Sequence, residues 1–145
     1  MARGRAYQKT KIQMTIKKQD LQVPALRDAD SERPIPSAWR PVICEIVRAF
    51  VGRDYALSVG VPGVSPVSSE TAEHIEKYIQ HYGEELVELP EETWDSSVCI
   101  WMGVRWDALI DLWTSSEGRS DLVLSLRVSE DGSGFKFDVY MVYVP

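Results

Sequence analysis

Residues 106–145 read WDALIDLWTSSEGRSDLVLSLRVSEDGSGFKFDVYMVYVP, and the fold turns on them. Three apolar-rich runs, at 104–114, 122–128 and 135–144, alternate with a period of two, the spacing of a strand whose two faces meet different surroundings. SSEGRS at 115–120 and EDGSG at 130–134 separate them as turn material. Strands with such short links pair antiparallel, because a parallel return needs a crossover of a dozen residues or more. Upstream, Val98, Ile100 and Met102 alternate with Cys99 and Trp101, which predicts a strand across 97–102, and Leu86–Leu89 reads as a shorter one.

Before position 84 the period changes. Trp39, Val42, Ile43, Ile46, Val47 and Phe50 recur at the spacing of a helix with one apolar face. Ser37 is placed to cap it, Pro41 sits in its first turn and Gly52 is positioned to end it. A second helix starts at Ser68 or Ser69, buries Ala72, Ile75, Ile79 and Tyr82, pairs Glu73 with Lys77 at i, i+4, and stops at Gly83. ALSVGVPGVSPV at 56–67 is a loop. The predicted class is α+β: two N-terminal helices packed on one face of a mostly antiparallel four- to five-stranded meander sheet. Residues 1–37 read as a basic arm and linker, with DADSERPIPS at 28–37 as the linker proper, and 38–145 as a single domain.

The charge is unevenly distributed. Residues 1–18 carry six bases (Arg3, Arg5, Lys9, Lys11, Lys17, Lys18) and no acid, while the rest holds 10 bases against 22 acids, a balance of −12. Such a body repels nucleic acid and anionic membranes and attracts basic proteins, so direct nucleic-acid binding is not expected. Ile12, Met14 and Ile16 alternate within the arm as a short edge strand would. No stretch approaches the ~18 apolar residues of a membrane span, and the basic start lacks the apolar region of a secretory signal. Cys44 and Cys99 lie far apart without a second ligand nearby, as reduced buried thiols do, and a cytoplasmic location is expected.

No catalytic constellation emerges. His74 and His81 share a helix face but stand about 10 Å apart along its axis at 1.5 Å per residue, too far to hold one metal. Glu70 and His74 have chelating spacing but no third ligand. No serine sits in a nucleophile elbow, no glycine pattern follows a strand as a phosphate loop would, and DGSG at 131–134 falls where a hairpin turn belongs. The chain reads as a non-enzyme with no cofactor, no metal and no small-molecule substrate.

What remains is surface. EELVELPEETWD at 84–95 holds six acids (Glu84, Glu85, Glu88, Glu91, Glu92, Asp95) and no base, with Trp94 among them. An aromatic anchor ringed by carboxylates suits capture of a basic protein: the Trp supplies buried area and the acids supply steering. The predicted partner-binding residues are Glu84, Glu85, Glu88, Glu91, Glu92 and Trp94; the other reading of the stretch is a solvated loop whose Trp folds back on the core. Trp106 and Trp113, seven apart in one strand, point to opposite faces. In the last strand Phe135, Phe137, Val139, Met141 and Tyr143 share one face. The sheet surface away from the helices is thus partly aromatic and is a second candidate interface.

The run at 106–145, with RPVICEIVRAFVGRDYAL at 40–57, resembles a family of small bacterial domains associated with immunity proteins of polymorphic-toxin and contact-dependent growth inhibition systems. LWTSSEGRSDLVLSL at 112–126 is its most distinctive piece, and the likeness covers roughly residues 38–145. It implies a protein that binds a cognate toxin, the basic C-terminal domain of a larger exported protein, inside the producing cell. Many such toxins are nucleases, so the expected action is masking of a basic active-site cleft. The alternative from another class is a non-catalytic regulatory or scaffolding module that self-associates through its sheet face.

Overall fold

The first helix follows the apolar spacing closely. In the computed structural model, which describes residues 22–145, a 3-10 turn at Ser37–Trp39 leads into α1, Arg40–Val51. Ile43, Ile46, Val47 and Phe50 are buried along one side of it. Ser37 does not cap this helix. Its hydroxyl instead accepts the Val23 N–H at 2.7 Å while its own N–H donates to the Val23 carbonyl at 2.9 Å, tying the incoming chain to the helix start. The second helix, α2 (Ser69–Tyr82), is capped as its sequence predicts: Ser68 Oγ accepts the Thr71 N–H at 3.1 Å, and Gly83 ends it at φ +84°, a left-handed seat natural to glycine. The basic arm and its alternating Ile12, Met14 and Ile16 lie outside the described residues.

The sheet corrects the expected architecture. Among the described residues it has six strands, not four or five: β1 (Arg33–Pro34), β2 (Leu86–Val87), β3 (Val98–Trp101), β4 (Trp106–Thr114), β5 (Gly118–Asp131) and β6 (Gly134–Tyr143). The order is β1-β3-β4-β5-β6, with β2 on β4, and every pairing is antiparallel. The helices are therefore not both N-terminal to the sheet, since β1 precedes them. Nor is the sheet a simple meander, because β2 and β3 share one edge of β4. The physical reason is length. A two-residue strand carries no readable alternation, and Pro34, which has no N–H to give a further strand, suits the sheet border where β1 lies.

The stretch read as linker is built into the body. Ile35 is fully buried, and the segment before it crosses the aromatic end of the core. There Trp106 Nε1 donates to the Leu26 carbonyl at 2.9 Å, and the Arg27 guanidinium lies 5.0 Å from the Trp101 ring centre. The core joins the buried stripes of both helices to Trp106, Ala108, Ile110 and Leu112 of β4, Leu122, Leu124, Leu126 and Val128 of β5, and Phe137 and Val142 of β6. Trp39 is its hub, edge-on to Trp106 and Phe135 at 5.5 Å each and to Phe137 at 6.2 Å. Its indole N–H has no acceptor among the described residues and sits among rings whose π faces accept weakly.

A bulge corrects the reading of the last strand. Ser125 pairs with Met141 but Leu126 with Val139, so Tyr140 is an extra residue on β6. Alternation slips by one there. Phe135, Phe137, Val139 and then Val142 face the helices, while Met141 and Tyr143, expected on that side, face away.

Candidate functional site

The acidic stretch 84–95 is first of all a structural part. Along one edge of β4, β3 covers Trp106–Leu109 and β2 covers Trp113–Thr114, leaving the backbone of Asp111 facing a gap. A 3-10 helix at Glu91–Asp95 fills it. Thr93 Oγ1 donates to the Asp111 carbonyl at 2.7 Å, and Ser97 Oγ accepts the Asp111 N–H at 2.9 Å. Both side chains are buried, so these bonds satisfy groups that water does not reach. Trp94 turns inward with them. It is 7% exposed and lies under the Arg40 guanidinium at 5.4 Å, which makes it part of the core and not a surface anchor.

The carboxylates of the same stretch face outward in two groups. Glu88 and Glu91 lie beside α1, where Arg48 Nε donates to Glu88 at 2.6 Å and Arg48 also pairs with Glu45. Cys44 sits among them. Its thiol is pushed above the ordinary cysteine range by burial first and by Glu91 second, with Arg48 opposing. Glu92 and Asp95 are exposed along the 3-10 helix. Glu84 and Glu85 stand apart from this group, at the start of β2, where Glu84 accepts the Ser116 hydroxyl. The structure thus divides the predicted site: Glu88 and Glu91 join Glu45, Glu84 and Glu85 join another surface, and Trp94 belongs to neither.

That other surface is a cleft of about 400 Å³ where the C-terminal ends of α1 and α2 converge on β2. Its floor is Phe50, Ile79 and Leu86, all buried, and its rim carries Glu76, Glu84, Glu85, Arg53 and Tyr55. The Tyr55 hydroxyl is pushed up by burial and then by the Glu76 charge, with Arg53 acting against them. Arg53 holds its place by an unusual backbone. Its N–H donates to Phe50 O and the Asp54 N–H to Ala49 O, the paired bonds of a Schellman ending, and the left-handed seat at φ +65° falls on Arg53. Gly52, expected to end the helix, has φ −78°. Sequence reading missed Glu76, Arg53 and Tyr55, because three segments far apart in the chain meet only once both helices are folded. The stop signals at Gly52 and Gly83 mark the two helix ends, but nothing in the local sequence announces that they meet.

Other chemistry-bearing groups are dispersed. Among the described residues no three of His, Cys, Asp and Glu are grouped as a metal would require. His74 and His81 are exposed on α2. Cys99 is buried under β1, its Sγ 3.6 Å from the Pro34 carbonyl, and burial raises its thiol to about 11.

Residues 47–145 match the family described as a domain of unknown function, DUF7668. The chain belongs to it. No curated protein and no solved structure matches the chain. The DUF7668 segment begins at Val47, midway along α1, so it takes in every residue lining the cleft. Glu45 and Cys44 of the neighbouring acidic group, like Trp39 and β1, precede the DUF7668 match.

Proposed function

We propose that this protein is a non-catalytic inhibitor that binds a basic protein partner, of the kind expected of an immunity protein facing its cognate toxin in the producing cell. The observation that carries the reading is the two-sided construction of residues 84–95. Leu86, Thr93 and Trp94 anchor the stretch in the core, and its carboxylates are thereby left facing outward. Only Glu88 among them has a cationic partner within the described residues. Charge held this way raises association rates with a basic surface by orders of magnitude, which serves an inhibitor that must arrive before damage is done. A nuclease cleft is the natural counterpart, being basic for its own substrate.

The test is a pull-down from the producing cells with this chain as bait at moderate salt. Recovery of one basic polypeptide at near-equal stoichiometry, whose activity falls when the two are mixed, is the expected result. The self-associating module is the second reading, favoured by the sheet face that carries no helix among the described residues. Val98, Ile100, Leu109, Trp113, Met141 and Tyr143 lie there half-buried, and Trp113 Nε1 has no acceptor among the described residues. Recovery of this chain alone, with a dimer in analytical ultracentrifugation, would replace the first reading with the second.

A further inference from the structure

The cleft between the ends of α1 and α2 has a shape and charge that the inhibitor reading does not by itself require. Its volume lies within the range of sites that enclose a ligand group. Its floor is apolar, formed by Phe50, Ile79 and Leu86. Glu76, Glu84 and Glu85 stand at the rim against one cation, Arg53. None of these three carboxylates is ion-paired among the described residues, where Glu84 takes the Ser116 hydroxyl and Glu76 the Gln80 amide. Two helices also end here, α1 at Val51 and α2 at Tyr82, and a helix C-terminus carries partial negative charge. Every term except Arg53 favours a cation on a flexible apolar stem.

We infer that this cleft receives a lysine or arginine side chain of the protein partner, with the methylene stem on Phe50, Ile79 and Leu86 and the cation at the rim carboxylates; the inference rests on the partner reading above. Long basic side chains are suited to such a place because they bury the stem and keep the charge at the rim. Arg53 then acts as a resident competitor at the mouth, limiting occupancy by weakly held cations. Its left-handed backbone is consistent with that role, since a glycine would sit there with less strain but would leave the mouth without its charge.

The experiment is a nuclear magnetic resonance titration of the full chain with hexalysine, and with hexalysine acetylated on every side-chain amine. Hexalysine should move the methyl signals of Ile79 and Leu86 and the ring signals of Tyr55, and the acetylated peptide should leave them still. Neutralising Glu76, Glu84 and Glu85 together as glutamines should weaken hexalysine binding about tenfold. Neutralising three exposed acids elsewhere, as E32Q, D121N and D131N, should weaken it less than about twofold. Arg53→Gly should tighten binding about two- to threefold by removing a like charge. Thermal melts of each variant confirm that the fold is intact.

Equal losses from the two triple variants, or weaker binding in Arg53→Gly, would overturn the inference. So would shifts confined to the Glu88–Glu91 surface. The two readings fail separately. A pull-down that captures a basic polypeptide with undiminished affinity for the Glu76, Glu84 and Glu85 variant sinks the cleft and spares the partner reading. Hexalysine binding in the cleft with no polypeptide captured sinks the partner reading.

Discussion

The two faces of β4 use the same residue type to opposite ends. Trp106, on the face toward the helices, is almost fully buried, meets Trp39 edge-on and Trp101 at a tilt, and donates its N–H to the Leu26 carbonyl. Trp113, on the other face, is half-buried, packs over Gly118 across the turn into β5, and has no acceptor for its N–H among the described residues. One face is closed by an aromatic cluster, two helices and the incoming chain. Among the described residues the other is closed only by its own neighbours. Alternation in sequence separates the two faces cleanly, but it does not say which will be covered, because the cover comes from remote segments.

The sharpest way to break this comparison is to empty both positions. Trp106→Ala removes the largest group from the closed face and should cost about 3–5 kcal/mol, read from the urea midpoint. Next comes the gap in the β4 edge. Thr93→Val keeps the shape but strands the Asp111 carbonyl, and should cost about 1–3 kcal/mol in the same measurement. Trp113→Ala should cost about 1 kcal/mol, since its burial is partial and its N–H has no acceptor among the described residues. Equal losses at Trp106 and Trp113 would show that the outer face is as closed as the inner one.

The two thiols extend the comparison at the smallest scale. Cys99 points to the closed face, and burial lifts its thiol to about 11 from an ordinary value near 9. Cys44 is raised too, but it is only half-buried on α1. Alkylation at pH 8 should therefore be slow at Cys44 and slower still at Cys99, as followed by intact mass. The same shift carries a sign for stability. A folded-state value above the unfolded one means the native state holds its proton longer, so the stability owed to Cys99 is complete below pH 9 and is lost as pH climbs toward 11. A melting temperature that rises over that interval in wild type relative to Cys99→Ala would contradict it.

Much of this fold was legible. Both helices lie where Ile43, Ile46 and Phe50, and Ile75 and Ile79, place them, and β4, β5 and β6 follow their alternating runs. What escaped was short or slipped. Arg33–Pro34 is too brief to show a period, the strand expected at Leu86–Leu89 is only Leu86–Val87, and the Tyr140 bulge reverses the last strand without a glycine or proline to announce it. β5 also begins earlier than its apolar core suggests, at Gly118, because Arg119 pairs across to Trp113. At the surface, composition found the carboxylates of 84–95 but not their grouping. A 3-10 helix turned Trp94 inward, and two helix ends brought Glu76 and Arg53 to Glu84 and Glu85. Such convergence depends on tertiary packing, which local spacing does not encode.

The entry of the chain along residues 22–36 has a practical consequence. A fragment cut to the family match at Val47 would lose Trp39, Ile35, β1 and the first half of α1. Cys99 would then lie on a bare sheet border, and Trp106 would lose its contact with the Trp39 ring and the acceptor at Leu26. An exposed strand edge beside an opened aromatic socket is a template for clumping. Anyone grafting, displaying or dissecting this domain should therefore begin no later than residue 22, well ahead of where the shared sequence starts.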